Sequence, residues 1–549
     1  MFASDPFTQQ HASLLEGTYD LVDRIVINAY FGMGGSGGGF CYWWKQLYGT
    51  TDNLNNTTLL RMAGRFARRV RGWAKKHSVP VVYCQSGDRK SQIAQQYRPS
   101  DPSFTGVFAV LVNRVPTPIW TVLRLPRGGL HLKRPDRFPC VYHYSFHIMD
   151  AEWGHVTIKM SGHVPFSAQV MLNGHEYVAC QARKAGIHFS KDGNCFTEVS
   201  DPVALARVAD TLRSPTAIGR LRRVCERWIY RCVCFGLSFD EQKRSGFRYR
   251  YSVYQAEYSR NLLFHNGHQM EQVFNGVIDR TRSHLDIRQV KTIFGMHCRR
   301  IKRKGGPLHC ESVLDIPAFN LTVFKLHFGL LTVKLYTKGE CVLRAEAITH
   351  NTRGLRCGRV IDRFPDVIAK LSEMLDRFLA AFRGMDVTWI SDTTLEELPQ
   401  ATTVGTTRVG GVDINKPRMR AAMEAAVALS PAPNGFTSSE HAQKVRDLLG
   451  PKAGQYTARR SAYDLKKLRG KRLVEKTPGQ PRRYQPTDHG LRAMAALIVL
   501  RDKVLKPLLT YNGRCKPGSK TTATVGIDAR YQAIQRQMQH LFRDLHIAA

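Results

Sequence analysis

Acidic residues are the scarce class in this 549-residue chain: 44 Asp+Glu stand against 81 Lys+Arg, a formal net charge of +37. Long apolar runs are missing as well. No stretch approaches the roughly 18 residues that a membrane-spanning helix requires, and the opening MFASDPFTQQH lacks a basic segment followed by an apolar one. Neither a span nor a secretory signal is expected. The 13 cysteines include no Cys-x-x-Cys, and the nearest pair is Cys232 and Cys234. Scattered, odd-numbered cysteines predict reduced thiols in a cytoplasm and speak against a disulfide framework or a tetrahedral zinc site. His-x-His is absent, which excludes the metal site of a rolling-circle nickase. The glycine-rich GMGGSGGG at Gly32–Gly39 is not followed by Gly-Lys-Ser/Thr, so it is no Walker-type phosphate cradle. HExxH and the zinc-deaminase pattern are missing too.

What remains is an ordinary folding composition, 43% hydrophobic and 10% aromatic, under a strongly cationic surface. A field of that sign favours polyanions, and nucleic acid is the partner whose neutralised phosphates release counterions. An anionic membrane would call for a basic amphipathic helix with an apolar opposite face, which makes it the weaker expectation.

Along the chain, Arg24–Phe31 reads as a buried strand. Thr57–His77 reads as a helix with Leu59, Met62, Phe66, Val70 and Trp73 in its apolar stripe. Val79–Cys84 and Gly106–Val115 read as further strands, which predicts a small α/β domain over 15–128. A central α+β domain is expected over 129–400, with helical periodicity in Asp201–Phe235 and Phe364–Phe382 and hairpins in His143–Met160 and Leu321–Thr349. Within it lies the basic run Arg299–Lys304. The Thr/Gly-rich stretch in 401–415 reads as a linker. A tail follows over 511–549, with an amphipathic helix expected in Tyr531–Leu545.

Between linker and tail, 416–510 shows helix, helix, helix, hairpin, helix. Pro417 opens the first helix, and Thr437 or Ser438 caps the second. Thr457–Arg469 forms the third, Thr477–Pro481 makes the hairpin turn, and Thr487 opens the last helix. The segment YTARRSAYDLKKLRGKRLVEKTPGQPRRYQPTDHGLRAM, Tyr456–Met494, resembles the winged helix-turn-helix family. The resemblance implies that the third helix enters a major groove and that the hairpin tip touches backbone or minor groove. It points to Arg459, Arg460, Lys466, Lys467 and Arg469 on the helix, Lys471 and Arg472 after it, and Arg482 and Arg483 in the wing. Between Arg459 and Arg483 there are ten Lys/Arg and only Asp464 and Glu475. The body of the chain, through phrases such as GHVTIKMSGHVPFSAQVMLNGHEY, resembles bacterial open reading frames that bring no activity with them.

Three constellations carry reactive residue types. In the hairpin His143–Met160, a loop at Asp150–Gly154 pairs His147 with Thr157 and Ser145 with Lys159. One face is then apolar, while the other, with His143, His147 and Lys159, suits phosphate. The plain alternative is a solvated sheet face. In Leu331–Thr349, a turn at Lys338–Glu340 pairs Lys334 with Arg344. Lys334, Tyr336, Arg344 and Glu346 then share one face, on which the cations Lys334 and Arg344 suit a phosphodiester and Tyr336 is the candidate nucleophile, activated by positive charge. After the strand Val79–Cys84, Asp88 and Lys90 sit where a metal-dependent nuclease would place them, with Asp23 or Asp52 as guesses for a partner acid. A solvated turn is the plainer reading. His175 and Glu176 of NGHE are expected in a turn, and Glu257 in a polar network.

The expectation is therefore a mixed α/β and α+β multidomain protein that binds nucleic acid, with DNA favoured. It would read a site through its C-terminal part and handle DNA in replication, recombination or element mobility. The alternatives are a nuclease or strand-transfer enzyme, which alone would require a cofactor (Mg2+), and a ribonucleoprotein component clamping structured RNA. No metal-ligating set is assigned. Localisation is expected to be cytoplasmic, with nucleoid association in a bacterial host.

Overall fold

The computed structural model describes residues 5–126, 129–281, 310–314, 322–384, 392–450, 456–506 and, in the tail, 530, 533–538 and 540–541. The chain is mixed α/β and divides into two compact units. One takes in His11–Met270 and Leu330–Leu375, and the other takes in Asp5–Gln10, Glu271–Gly329 and Asp376–Ala549. Among the described residues no helix is long and apolar enough to cross a membrane. The basic run Arg299–Lys304 lies outside the described residues, as do Tyr531 and Leu545 at the ends of the expected tail helix; 533–538 are helical.

The first unit is organised by a sheet whose strands run β1 (Leu15–Phe31), β2 (Val81–Tyr83), β3 (Gly106–Pro116), β4 (Cys140–Asp150), β5 (Gly154–Ser161), β6 (Ala168–Asn173), β7 (Tyr249–Phe264), β8 (Leu331–Lys338) and β9 (Val342–Thr349). In space their order is β8-β9-β7-β1-β6-β5-β4-β3-β2. Only the pair of β2 and β3 is parallel; every other neighbour is antiparallel. β1 lies inside this sheet, between β7 and β6, which corrects the expected boundary at 128/129. Strands from both sides of that boundary interleave, because the alternation in 15–128 supplies too few strands to bury its own helices. Asp201–Phe235 is likewise broken into two helices, Pro202–Asp210 and Thr216–Val233.

One face of the sheet is closed by aromatic packing. Helix α1 (Gly37–Tyr48), unforeseen in the glycine-rich stretch, brings Trp43 against Phe31 at 5.3 Å between centroids. From helix α2 (Asn56–Lys76), Phe66 packs on Tyr144 at 4.9 Å. Phe146 stacks with Phe235 at 5.6 Å. Period-two alternation then forces the intervening residues onto the opposite face. There Ser252, Asn28, Gln169, Lys159 and Ser145 are successive register partners across five strands.

The second unit carries the C-terminal elements: helix α3 (Pro417–Ala428), strand β10 (Phe436–Thr437), helix α4 (Ser438–Leu449), helix α5 (Ala458–Gly470), strands β11 (Val474–Lys476) and β12 (Arg483–Pro486), and helix α6 (Asp488–Val499). The three strands lie in the order β10-β12-β11. Caps fix the helix starts. Thr437 and Glu440 form a capping box, Thr457 accepts from the Arg460 amide, and Thr487 accepts from the Gly490 amide. A buried His441 ties three helices, with Nδ1 at 2.8 Å from Ser461 Oγ and Nε2 at 2.9 Å from the Ala422 carbonyl. The expected linker over 401–415 contains a hairpin, Thr402–Val404 with Thr407–Val409, whose first strand Gly470 of α5 approaches closely.

Candidate nucleic-acid interface

Helix α5 sorts its residues by chemistry. Ser461, Asp464, Leu465 and Leu468 are buried, while Arg459, Arg460 and Tyr463 are exposed. Asp464, the helix's one carboxylate, is spent internally. It accepts from the Tyr456 hydroxyl at 2.8 Å and pairs with Arg418 at 3.3 Å, and burial raises its pKa. What the helix shows to solvent is therefore cationic and aromatic. A concavity of about 390 Å³ at its start is lined by Arg418, Thr457, Arg459, Arg460, Tyr463 and Asp464.

The remaining expected contacts divide. Lys466, Arg469 and Lys471 are half-buried, and Arg472 is exposed at a positive φ of 56°. Lys467 donates to the Gly411 carbonyl at 3.2 Å while its ammonium sits 5.3 Å from the Tyr463 ring centre. Arg482 is exposed. Arg483 is a correction. Its guanidinium bonds the Asn434 and Gly435 carbonyls and pairs with Glu440 at 3.1 Å, so it locks the hairpin to the capping box of α4. The alternation at the start of β12 turns it inward while Arg482 stays out.

In the first unit the hairpin β4–β5 has the expected register, Ser145 opposite Lys159 and His147 opposite Thr157. Its polar face is not simply solvated, since Ser145 and His147 are each only 5% exposed. His147 Nδ1 lies 3.0 Å from His155 Nε2, and burial drives both imidazoles down to about 4. Lys159 is half-buried with no carboxylate paired to it among the described residues. Burial, and then Lys90, lower its pKa. Asp88 is a turn residue whose carboxylate accepts the Gln85 amide at 2.7 Å, and Lys90 opens the short helix Lys90–Gln96.

The hairpin β8–β9 keeps the expected faces but not the expected partners. Its turn falls one residue later, so Lys334 lies opposite Glu346 and Tyr336 opposite Arg344. Lys334 is paired with Glu346 at 3.2 Å. Arg344 is a second correction as a nucleic-acid contact, because it is wholly buried. It donates to Asn261 Oδ1 and to the Asn194 carbonyl, each at 2.6 Å, and lies 3.9 Å from Asp23 Oδ2. Tyr336 is no activated nucleophile, because burial and then the Glu346 carboxylate push its phenol pKa up.

Sequence reasoning missed the centre of this cluster. Asn173 caps helix α7 (Gly174–Lys184), which places His175 in its first turn, fully buried against Asp23. His175 Nε2 lies 3.3 Å from an Arg344 nitrogen that can only donate, so the ring is neutral with its proton on Nδ1, toward Asp23. Burial takes His175 down to about 4, in accord with that tautomer. Asp23 is held below the usual carboxylate range by His175 and Arg344 against the opposing effect of burial. Burial raises Glu346, and burial with Glu346 and Asp23 takes Glu257 up to about 7. The readable signal was Asn173-Gly174 after a strand, an N-cap followed by a residue able to approach β1 closely.

Compared with protein-family models, curated proteins and solved structures, the chain has no match.

Proposed function

We propose that this chain is a DNA-binding protein that reads duplex DNA through residues 416–506, used as a winged helix-turn-helix, and that its cationic excess holds further nucleic acid. The observation that carries the reading is the exposed start of α5, where Arg459, Arg460 and Tyr463 face solvent while Asp464 is turned inward. The element order and the β10-β12-β11 sheet suit a recognition helix followed by a wing. Arginine is the residue type that reads guanine edges bidentately, and Arg459 and Arg460 sit at the helix end that would enter a groove. Arg482 at the wing is placed for backbone.

The test is selection of bound duplexes from a random pool by the full chain, followed by titration of the winner and of an unrelated duplex at several salt concentrations. Arg459→Ala with Arg460→Ala should weaken the selected duplex by ten-fold or more and the unrelated one much less. Equal losses on both duplexes would reduce the helix to an electrostatic anchor, and no enriched sequence would remove the reading. Digestion of co-purifying nucleic acid with DNase and RNase separates this function from the RNA-clamping alternative.

A further inference from the structure

The first unit contains a cavity of about 730 Å³ on the open sheet face, within the size range of small-molecule sites. Its floor is the polar row already described, Ser252, Asn28, Gln169 and Lys159, in which Gln169 donates to Asn28 at 3.0 Å. Its walls include Tyr30, Thr117, His143 and Arg359. Among the described residues two cations, Lys159 and Arg359, and no carboxylate line it. Lys159 stands at one end of the row, and the positive charge of Lys90 reaches both Lys159 and His143. Arg359 stands at the other end, beside the bridge from Ser252 to Val360, with its Nε buried and without a hydrogen bond.

His143 defines what else the cavity wants. The Thr117 hydroxyl donates to the Val115 carbonyl at 2.9 Å, so toward His143 Nε2, 2.8 Å away, it can only accept. The imidazole proton is therefore on Nε2, and Nδ1 presents a lone pair that is buried and has no partner. Burial, with Lys159 and Lys90 beside it, lowers the ring's pKa to about 4, so at neutral pH the ring is uncharged, with Nε2–H donating to Thr117 and Nδ1 able only to accept. A bare anion would satisfy Lys159 and leave that acceptor empty. A ligand carrying both a phosphate and an N–H or O–H donor satisfies both, and the 42%-exposed Tyr30 ring on the wall offers a stacking surface.

We infer that this cavity is a nucleotide site: Lys159 takes a phosphate, His143 Nδ1 accepts from the attached sugar or base, and Tyr30 stacks on the base. The nucleotide is either free or one unit of a single strand crossing the sheet. The site is separate from the duplex-reading helix and does not depend on it.

The test uses the full chain and three probes: inorganic phosphate, a 5′-mononucleotide and a short single-stranded oligonucleotide, each titrated by calorimetry. Mononucleotide binding identifies a free-nucleotide site, and binding of the oligonucleotide alone identifies a strand site. Either supports the inference if Lys159→Gln weakens it at least ten-fold and Lys159→Arg restores most of the loss. His143→Phe should remove the preference for nucleotide over inorganic phosphate while leaving phosphate binding within about two-fold. No binding of either nucleotide probe below millimolar overturns the inference, as does unchanged binding by Lys159→Gln. Duplex affinity in the same Lys159→Gln protein should stay within two-fold of wild type, so a failure of the duplex reading and a failure of this site are seen separately.

Discussion

Replacing Asp23 by Asn tests whether the buried Asp23–His175–Arg344 cluster is a structural device. Asp23 is 2% exposed, His175 and Arg344 are fully buried, and Asp23 supplies the negative charge nearest the guanidinium. Asn keeps the shape and removes the charge. Arg344 then retains its neutral acceptors, Asn261 and Asn194, but has lost its buried counter-ion. Removing one partner of a buried pair costs about 3–5 kcal/mol, because the surviving charge stays desolvated. At roughly 2 °C per kcal/mol for a unit this large, the melting temperature should fall by about 6–10 °C. Hydrogen exchange followed by mass spectrometry should place the loosening in β1, β7 and β9. Asp210→Asn is the comparison, since it breaks an exposed pair with Arg213 and should cost under about 1 kcal/mol. The double variant Asp23→Asn with Arg344→Met, which removes both charges, should recover part of the loss. A melting temperature within about 2 °C of wild type for Asp23→Asn alone would refute the account of Arg344 as a guanidinium held by that carboxylate.

Other perturbations read other parts of the molecule. His441 is buried and driven down to about 4, against an ordinary value near 6.5. The unfolded chain therefore binds a proton there before the folded one does. Stability from this group is complete above about pH 6.5 and is lost as pH falls toward 4, by roughly 2.5 kcal/mol at pH 4.5. Urea unfolding of His441→Leu at pH 7.5 and 4.5 should show a pH difference smaller than wild type by about that amount. Gly174→Ala should prevent α7 from docking, since a Cβ there would lie 1.6 Å from the Val22 carbonyl oxygen, and its expression as soluble, cooperatively melting protein would contradict the geometry. Arg483→Ala should lower stability by about 1–3 kcal/mol through its lost carbonyl and Glu440 contacts, measured by denaturant midpoint. Arg482→Ala should leave the midpoint in place and reduce the salt slope of duplex binding by about one.

What the sequence revealed follows from how local each signal is. The helix Asn56–Lys76 was legible because an apolar stripe at three- and four-residue spacing has one solution, and β4–β5 because a short turn with strict alternation fixes register. The faces of β8–β9 survived an error in the turn, since a shift that keeps even residues opposite even residues keeps the faces. The cross-strand partners did not survive it: only the true register sets Lys334 beside Glu346 and Tyr336 beside Arg344. The order of strands was not legible at all, because β1 meets β7 and β6 through pairings more than a hundred residues apart in sequence. For the same reason Asp23 could be guessed only as a partner of Asp88, whereas the fold assigns it to His175 and Arg344.

The scarcity of acids acquires its meaning from where the acids are. Asp20 is held by Arg260, Asp150 by Arg227 and the Trp228 indole, and Glu176 by Arg98 and Lys191. Glu241 is held by Arg65, Asp464 by Arg418 and Glu440 by Arg483. Each of these carboxylates fixes a particular helix, strand or cap, and all but Glu440 are largely withdrawn from solvent. A basic surface kept only for solubility would gain nothing from such confinement, because interspersed acids serve solubility at least as well. Among the described residues no carboxylate pairs with Arg459 and Arg460 at the start of α5, with Arg482 before β12, or with Lys159 on the open sheet face. Cations held apart from carboxylates lack an internal competitor for a phosphate. An arriving phosphate then displaces only mobile counterions, and this is the condition under which cationic excess becomes affinity.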